Sequence, residues 1–116
     1  MYRNEIFQLF ANDLICNPIH IHLEDREYTV YKKSIVKELL YDFKGKPYVP
    51  EYHDCDDQAD DMRYYLRKNG VKTGYLKIKN HMMLIFCTTN KELLTIDPGT
   101  KRIAPIPNGV EYVAWW

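Results

Sequence analysis

The chain has 116 residues, with 16 basic and 16 acidic side chains and a formal net charge of zero. This length suits one domain, and 46% hydrophobic with 14% aromatic residues supplies one packed core, which excludes a compositionally disordered chain. Balanced charge argues against general affinity for nucleic acid or for an anionic membrane surface, since both need a basic excess.

In chain order, Ile6, Phe7, Phe10 and Leu14 recur at helical spacing and predict a first helix that ends before Asn17-Pro18. The alternating IHIHL at 19–23 and the stretch Tyr28–Tyr31, separated by charged residues, read as a short hairpin. Ser34 is the expected N-cap of a helix over Ile35–Asp42, with Ile35, Val36, Leu39 and Leu40 as its apolar stripe. After an irregular aromatic segment at Tyr48–Tyr52, a long helix begins at Asp54 or Cys55 and runs to about Lys68, closed by Gly70. Strands are then expected at roughly 74–79, 81–88, 93–97 and 101–104, with the apolar 81–88 central and 89–92 as its hairpin loop. The tail EYVAWW is expected at an edge or as a cover over the core. Helices followed by antiparallel strands give an α+β fold, one domain over 1–116.

Cys16, Cys55 and Cys87 are odd in number and lack CxxC spacing, which disfavours a disulfide scaffold and points to a reducing, cytoplasmic setting. The N-terminal residues lack the layout of a signal peptide, and no apolar run is long enough to span a bilayer. Cys87, on an apolar strand, reads as structural, as does Cys16. Cys55 differs, because it sits among aspartates where a helix begins, and a helix N-terminus stabilises thiolate. The expected hairpin of 81–88 with 93–97 sets His81, at the start of one strand, beside Asp97, at the end of the other. A thiol nucleophile needs such a pair: the imidazole takes and returns the proton while the carboxylate fixes its tautomer.

The stretch Asp54-Cys55-Asp56-Asp57-Gln58-Ala59, with Asn80-His81-Met82 and Ile96-Asp97-Pro98 downstream, resembles the pattern of bacterial transglutaminase-like cysteine peptidases and of small phage and archaeal proteins with the same core. The resemblance covers roughly residues 28–103. It implies a minimal papain-like or transglutaminase-like core, with the nucleophile at a helix N-terminus packed on a C-terminal antiparallel sheet. It implies thioester chemistry on a protein or peptide substrate through Cys55, His81 and Asp97 with no cofactor required; some members of the family bind calcium through the acids flanking the cysteine, which here are Asp54 and Asp56. Tyr48 and Tyr52, just before the nucleophile, are candidate substrate-binding residues. No glutamine shortly precedes Cys55, so the oxyanion donors are expected to be the Cys55 N–H and a group from Tyr48–Tyr52.

Competing readings use the same residues. His53, Cys55 and His81 with an aspartate make a possible zinc set, although the paired spacings of structural zinc sites are missing. His20 and His22 alternate on a strand and are read as solvent-facing. A non-catalytic protein-binding module of phage or mobile-element type is the alternative to an enzyme. Charge is also sorted: Glu51, Asp54, Asp56, Asp57, Asp60 and Asp61 precede a run of six bases and no acid over 62–79, so a cation or cationic substrate is expected near Cys55.

Overall fold

The computed structural model describes residues 1–12, 20–47, 49–50 and 54–116. Among these, three helices and seven strands follow one another as α1 Arg3–Asn12, β1 His20–Leu23, β2 Val30–Tyr31, α2 Lys33–Asp42, α3 Cys55–Lys68, β3 Gly74–Ile78, β4 His81–Thr88, β5 Leu93–Ile96, β6 Ile103–Pro105 and β7 Val110–Trp115. The α+β expectation holds. The strands make one mostly antiparallel sheet in the order β1-β7-β3-β4-β5-β6, with β2 paired to β4.

β4 is the centre of this sheet, as its apolar run required. Side chains alternate across a strand, so Met83, Ile85 and Cys87 point to one face and Leu84 and Phe86 to the other. The first face packs on Ile6 and Phe10 of α1 together with Leu76, Val113 and Trp115. The second packs on Val36 and Leu40 of α2 and on Ala59, Met62 and Leu66 of α3. The sheet is therefore sandwiched between α1 and the α2–α3 pair, which explains why β4 carries no polar face. Helical spacing of the buried residues Ala59, Met62 and Leu66, at i, i+3 and i+7, produces the one-sided contact of α3.

Four local expectations change. The 19–23 and 28–31 segments do not form a hairpin: β1 runs parallel to β7 and β2 runs parallel to β4. The intervening residues include no glycine or asparagine for a tight turn, and Tyr28 is instead buried, its hydroxyl donating to the Trp115 carbonyl at 2.7 Å. β3 reaches only Ile85 on one flank of β4 while β5 occupies the other, which leaves Cys87 and Thr88 open to β2. Helix α2 is capped at Lys32 with no side-chain cap, so Ser34 is inside the first turn, and Ile35 is exposed rather than part of the buried stripe. The tail is no edge: β7 lies between β1 and β3, with Val113 and Trp115 fully buried. The sixth strand falls at Ile103–Pro105, slightly later than 101–104. Leu14, Asn17 and Pro18, expected at the end of the first helix, lie outside the described residues.

The remaining boundaries follow the sequence closely. Asp54 caps α3, accepting from the Asp57 N–H at 3.4 Å, while the Asp57 carboxylate accepts from the Asp54 N–H at 3.3 Å. This reciprocal capping box satisfies two of the helix's unpaired donors. At the other end Gly70 has φ +88°, the left-handed conformation that glycine adopts without a Cβ clash. No helix among the described residues is long and apolar enough to cross a membrane.

Candidate functional site

Leu84 pairs with Ile96 in the β4–β5 ladder, and continuing that register outward brings His81 diagonally next to Asp97. Their side chains meet, with His81 Nε2 and Asp97 Oδ2 3.1 Å apart. A carboxylate accepts only, so this geometry assigns the ring proton to Nε2 and leaves Nδ1 as the basic nitrogen. Asp97 is held in turn: its Oδ1 accepts from the backbone N–H of Gly99 at 2.9 Å and of Thr100 at 3.4 Å. The Asp97–Lys101 turn is thus folded around the same carboxylate that orients the histidine. Both side chains are about 30% exposed, so the pair is sheltered but reachable.

His81 and Asp97 line a cavity of about 620 Å³. Its other walls are Phe43, Gly45 and Pro47 after α2, Gln58 on α3, and Pro98 to Lys101 of the turn. That volume is in the range of small-molecule and side-chain pockets. The charged groups on this lining other than His81 and Asp97 are Lys46 and Lys101. Cys55 is not on this lining, and Asp61 of α3 lines an adjoining smaller recess with Phe43, Gly45, Lys46, Gln58 and Pro98.

Cys55 occupies the first position of α3, half-buried. Its sulfur donates to Asp56 Oδ1 at 3.8 Å, and no hydrogen bond joins it to His81 among the described residues. Helix α3 nevertheless brings Gln58, one turn further on, to the wall that His81 and Asp97 share. A glycine cradle records the closeness: a β carbon at Gly99 would lie 3.4 Å from Asp97 Oδ1 and 3.6 Å from Gln58 Oε1. Gln58 belongs to the Asp54–Ala59 stretch, and its spacing from Cys55 places it on the same helical face.

Cys87 is fully buried in the core, and burial pushes its thiol up to about 12. It is a structural residue, as its strand position suggested. Cys16, Tyr48, Tyr52 and His53 lie outside the described residues. His22 is exposed and pairs with Glu24 at 2.8 Å.

The calcium expectation fits the donor set poorly. Calcium takes six to eight oxygen ligands, yet Asp54 is engaged in the cap and Asp56 faces the Cys55 thiol. No group of three or more His, Cys, Asp or Glu side chains converges among the described residues, for calcium or for zinc.

Comparison of the chain with protein-family models, with curated proteins and with solved structures finds no match.

Proposed function

We propose that this chain is a thiol acyl-transfer enzyme with a minimal papain-like or transglutaminase-like arrangement, acting on an amide of a protein or peptide. Cys55 is the nucleophile, His81 the general base and acid, and Asp97 the residue that orients His81. One observation carries the reading: the His81–Asp97 pair, 3.1 Å apart, lines a cavity that α3, the helix headed by Cys55, also lines. With Nε2 bound to Asp97, Nδ1 is the nitrogen that receives the thiol proton. The helix start favours the resulting thiolate. Attack on the carbonyl gives a thioester, and water or an amine then releases the acyl group.

The test is the alkylation rate of Cys55 by iodoacetamide between pH 5 and 9, in the native protein and in His81→Ala. An isolated thiol loses about tenfold in rate per pH unit below about 8.5, because only thiolate reacts. The proposal expects a native rate that stays high toward pH 6 and a His81→Ala rate that falls like an isolated thiol. Identical profiles in both proteins would refute it. The contact of the Cys55 thiol with Asp56 favours the second reading, a protein-binding module with an unreactive cysteine; identical, isolated-thiol profiles are what that reading expects.

A further inference from the structure

Among the described residues, Asn80, Lys91 and Lys101 have left-handed backbones without being glycine, at φ +59°, +60° and +62°. Asparagine enters that region readily and lysine does not, so both lysines are held in place against backbone strain. Strain of this kind collects at functional sites. Lys91 meets a carboxylate of its own chain, pairing with Glu5 at 3.3 Å. Lys101 does not: its ammonium donates to the Phe43 carbonyl, a neutral acceptor, and forms no salt bridge with a described residue. Lys101 and Phe43 both line the cavity beside His81 and Asp97. The carbonyl anchors one N–H of the ammonium and leaves two donors and the whole charge. Asp97, the acid on this lining, is already engaged, with Oδ2 on His81 and Oδ1 on the Gly99 and Thr100 N–H groups. Lys46, the other lysine of the lining, shares the adjoining recess with Asp61. The cavity wall thus carries one anchored cation with no carboxylate of its own.

Resting on the acyl-transfer reading, we propose that Lys101 is a specificity residue that binds a carboxylate of the substrate, so that the amide attacked by Cys55 belongs to an acidic peptide. The ammonium meets the carboxylate with the N–H groups that Phe43 does not use. Its tether to the Phe43 carbonyl restricts a long, flexible side chain before the substrate arrives, which lowers the entropic cost of binding. A charge-assisted hydrogen bond inside a sheltered cavity is also stronger than the same contact on open surface. The acids around Cys55 taken alone suggest the opposite, a cationic substrate. The carboxylate stands on either the acyl side or the leaving side of the scissile bond, and the test separates the two.

Three esters acylate Cys55 by one step, in which thiolate adds to the ester carbonyl, the S–C bond forms and nitrophenolate leaves with the electrons of the broken C–O bond. p-Nitrophenyl acetate is neutral, mono-p-nitrophenyl glutarate has a carboxylate on the acyl group, and p-nitrophenyl acetate with a ring carboxylate has one on the leaving group. Acylation of Cys55 is followed by peptide mass in the native protein, Lys101→Met and Lys101→Arg, each rate divided by that of free cysteine. Methionine has a similar length without the charge, and an unchanged iodoacetamide rate certifies an intact site. The expected result is a native preference on the order of tenfold for one of the carboxylate esters over the neutral one. It is lost in Lys101→Met, largely kept in Lys101→Arg and weakened by added potassium chloride. The preferred ester tells on which side of the bond the carboxylate lies. No preference in the native protein, or the same preference in Lys101→Met, overturns the proposal. An equal fall of all three rates in Lys101→Met also overturns it, making Lys101 a brace for the Phe43 wall. In each of these cases His81-dependent iodoacetamide alkylation leaves the enzyme reading standing, whereas isolated-thiol alkylation in the native protein removes that reading itself.

Discussion

Replacing Asp97 by asparagine separates two tasks that one carboxylate performs. Oδ2 accepts from His81 Nε2, while Oδ1 accepts from two backbone N–H groups of its own turn. A carboxylate offers acceptors on both sides; a carboxamide has one accepting and one donating end. With its oxygen kept on the turn, the new NH₂ faces Nε2, and the imidazole must carry its proton on Nδ1. That is the nitrogen meant to receive the thiol proton, so His81 is blocked as a base. A flipped amide would instead set NH₂ against two backbone donors, which is worse than one tautomer change in a ring whose heavy atoms need not move. In stability, the turn keeps its bonds but loses their charge, a loss of about 0.5–1 kcal/mol at this partly exposed position. For a chain of this size that is a melting shift of roughly 2–6 °C. Asp97→Ala removes both sets of bonds and should lose about 1–2 kcal/mol. The reactivity change is larger, on the order of 10²- to 10⁴-fold for a wrongly protonated imidazole. Thermal unfolding paired with Cys55 alkylation at pH 6.5 reads both quantities. Asp97→Asn that alkylates like the native protein would refute the tautomer reasoning, and Asp97→Ala as stable as Asp97→Asn would refute the role of the turn.

Two further predictions concern the scaffold. At Gly74 a β carbon would stand 2.5 Å from Trp115 Cγ and 2.7 Å from its Cβ; Trp115 is fully buried and packed on Tyr28 with ring centroids 4.6 Å apart. Gly74→Ala should therefore destabilise by about 1–3 kcal/mol, measured by urea unfolding, and an unchanged midpoint would show that the indole moves aside freely. Tyr75, whose hydroxyl donates to Asp60, has its pKa pushed up to about 12 by burial and then by that carboxylate. The folded state thus holds the proton more tightly than the unfolded state, so this contribution is intact below about pH 10 and is lost as pH rises from about 10 to 12. Tyr75→Phe should flatten stability over that window, and an identical alkaline slope in both proteins would contradict the assignment.

Elements that depend on neighbouring residues were legible in the sequence. The cap at Asp54, the glycine at 70 and the apolar run of β4 each act within a few positions, so α3 and the β3–β4–β5 meander follow from local pattern. The His81–Asp97 approach was legible for the same reason, since a short hairpin fixes its own register. The partners of β1 and β2 were not. His20 pairs with Tyr112 and Val30 with Cys87, and nothing in IHIHL distinguishes a strand that turns back from one that waits for the tail. The position of β7 was hidden likewise, because its place between β1 and β3 depends on distant partners, with Val113 and Trp115 filling the core. The place of Gln58 on the cavity wall was not legible either, because it depends on how α3 packs beside the Asp97 turn.

Register alone brings His81 to Asp97, but the cavity beside them is built by contacts that the sandwich does not require. Lys101 has φ +62°, a left-handed conformation that strains a residue with a β carbon by about 1–2 kcal/mol. Its ammonium donates to the Phe43 carbonyl, tying the β5–β6 turn to the end of α2. Phe43 is stacked on Tyr65 of α3 at 4.9 Å, and the Tyr65 hydroxyl donates to the Leu39 carbonyl at 2.7 Å. The wall opposite His81 is thus fixed from three directions: by the sheet through Lys101, by α3 through Tyr65, and by its own helix. The two polar links in it bury no extra apolar surface, and a glycine at 101 would relieve the backbone strain. The α1 face is tied in a comparable way: Lys91, at φ +60°, pairs with Glu5 of α1 at 3.3 Å, and the Tyr28 hydroxyl donates to the Trp115 carbonyl at 2.7 Å, so polar tethers brace the loops on both faces of the sheet.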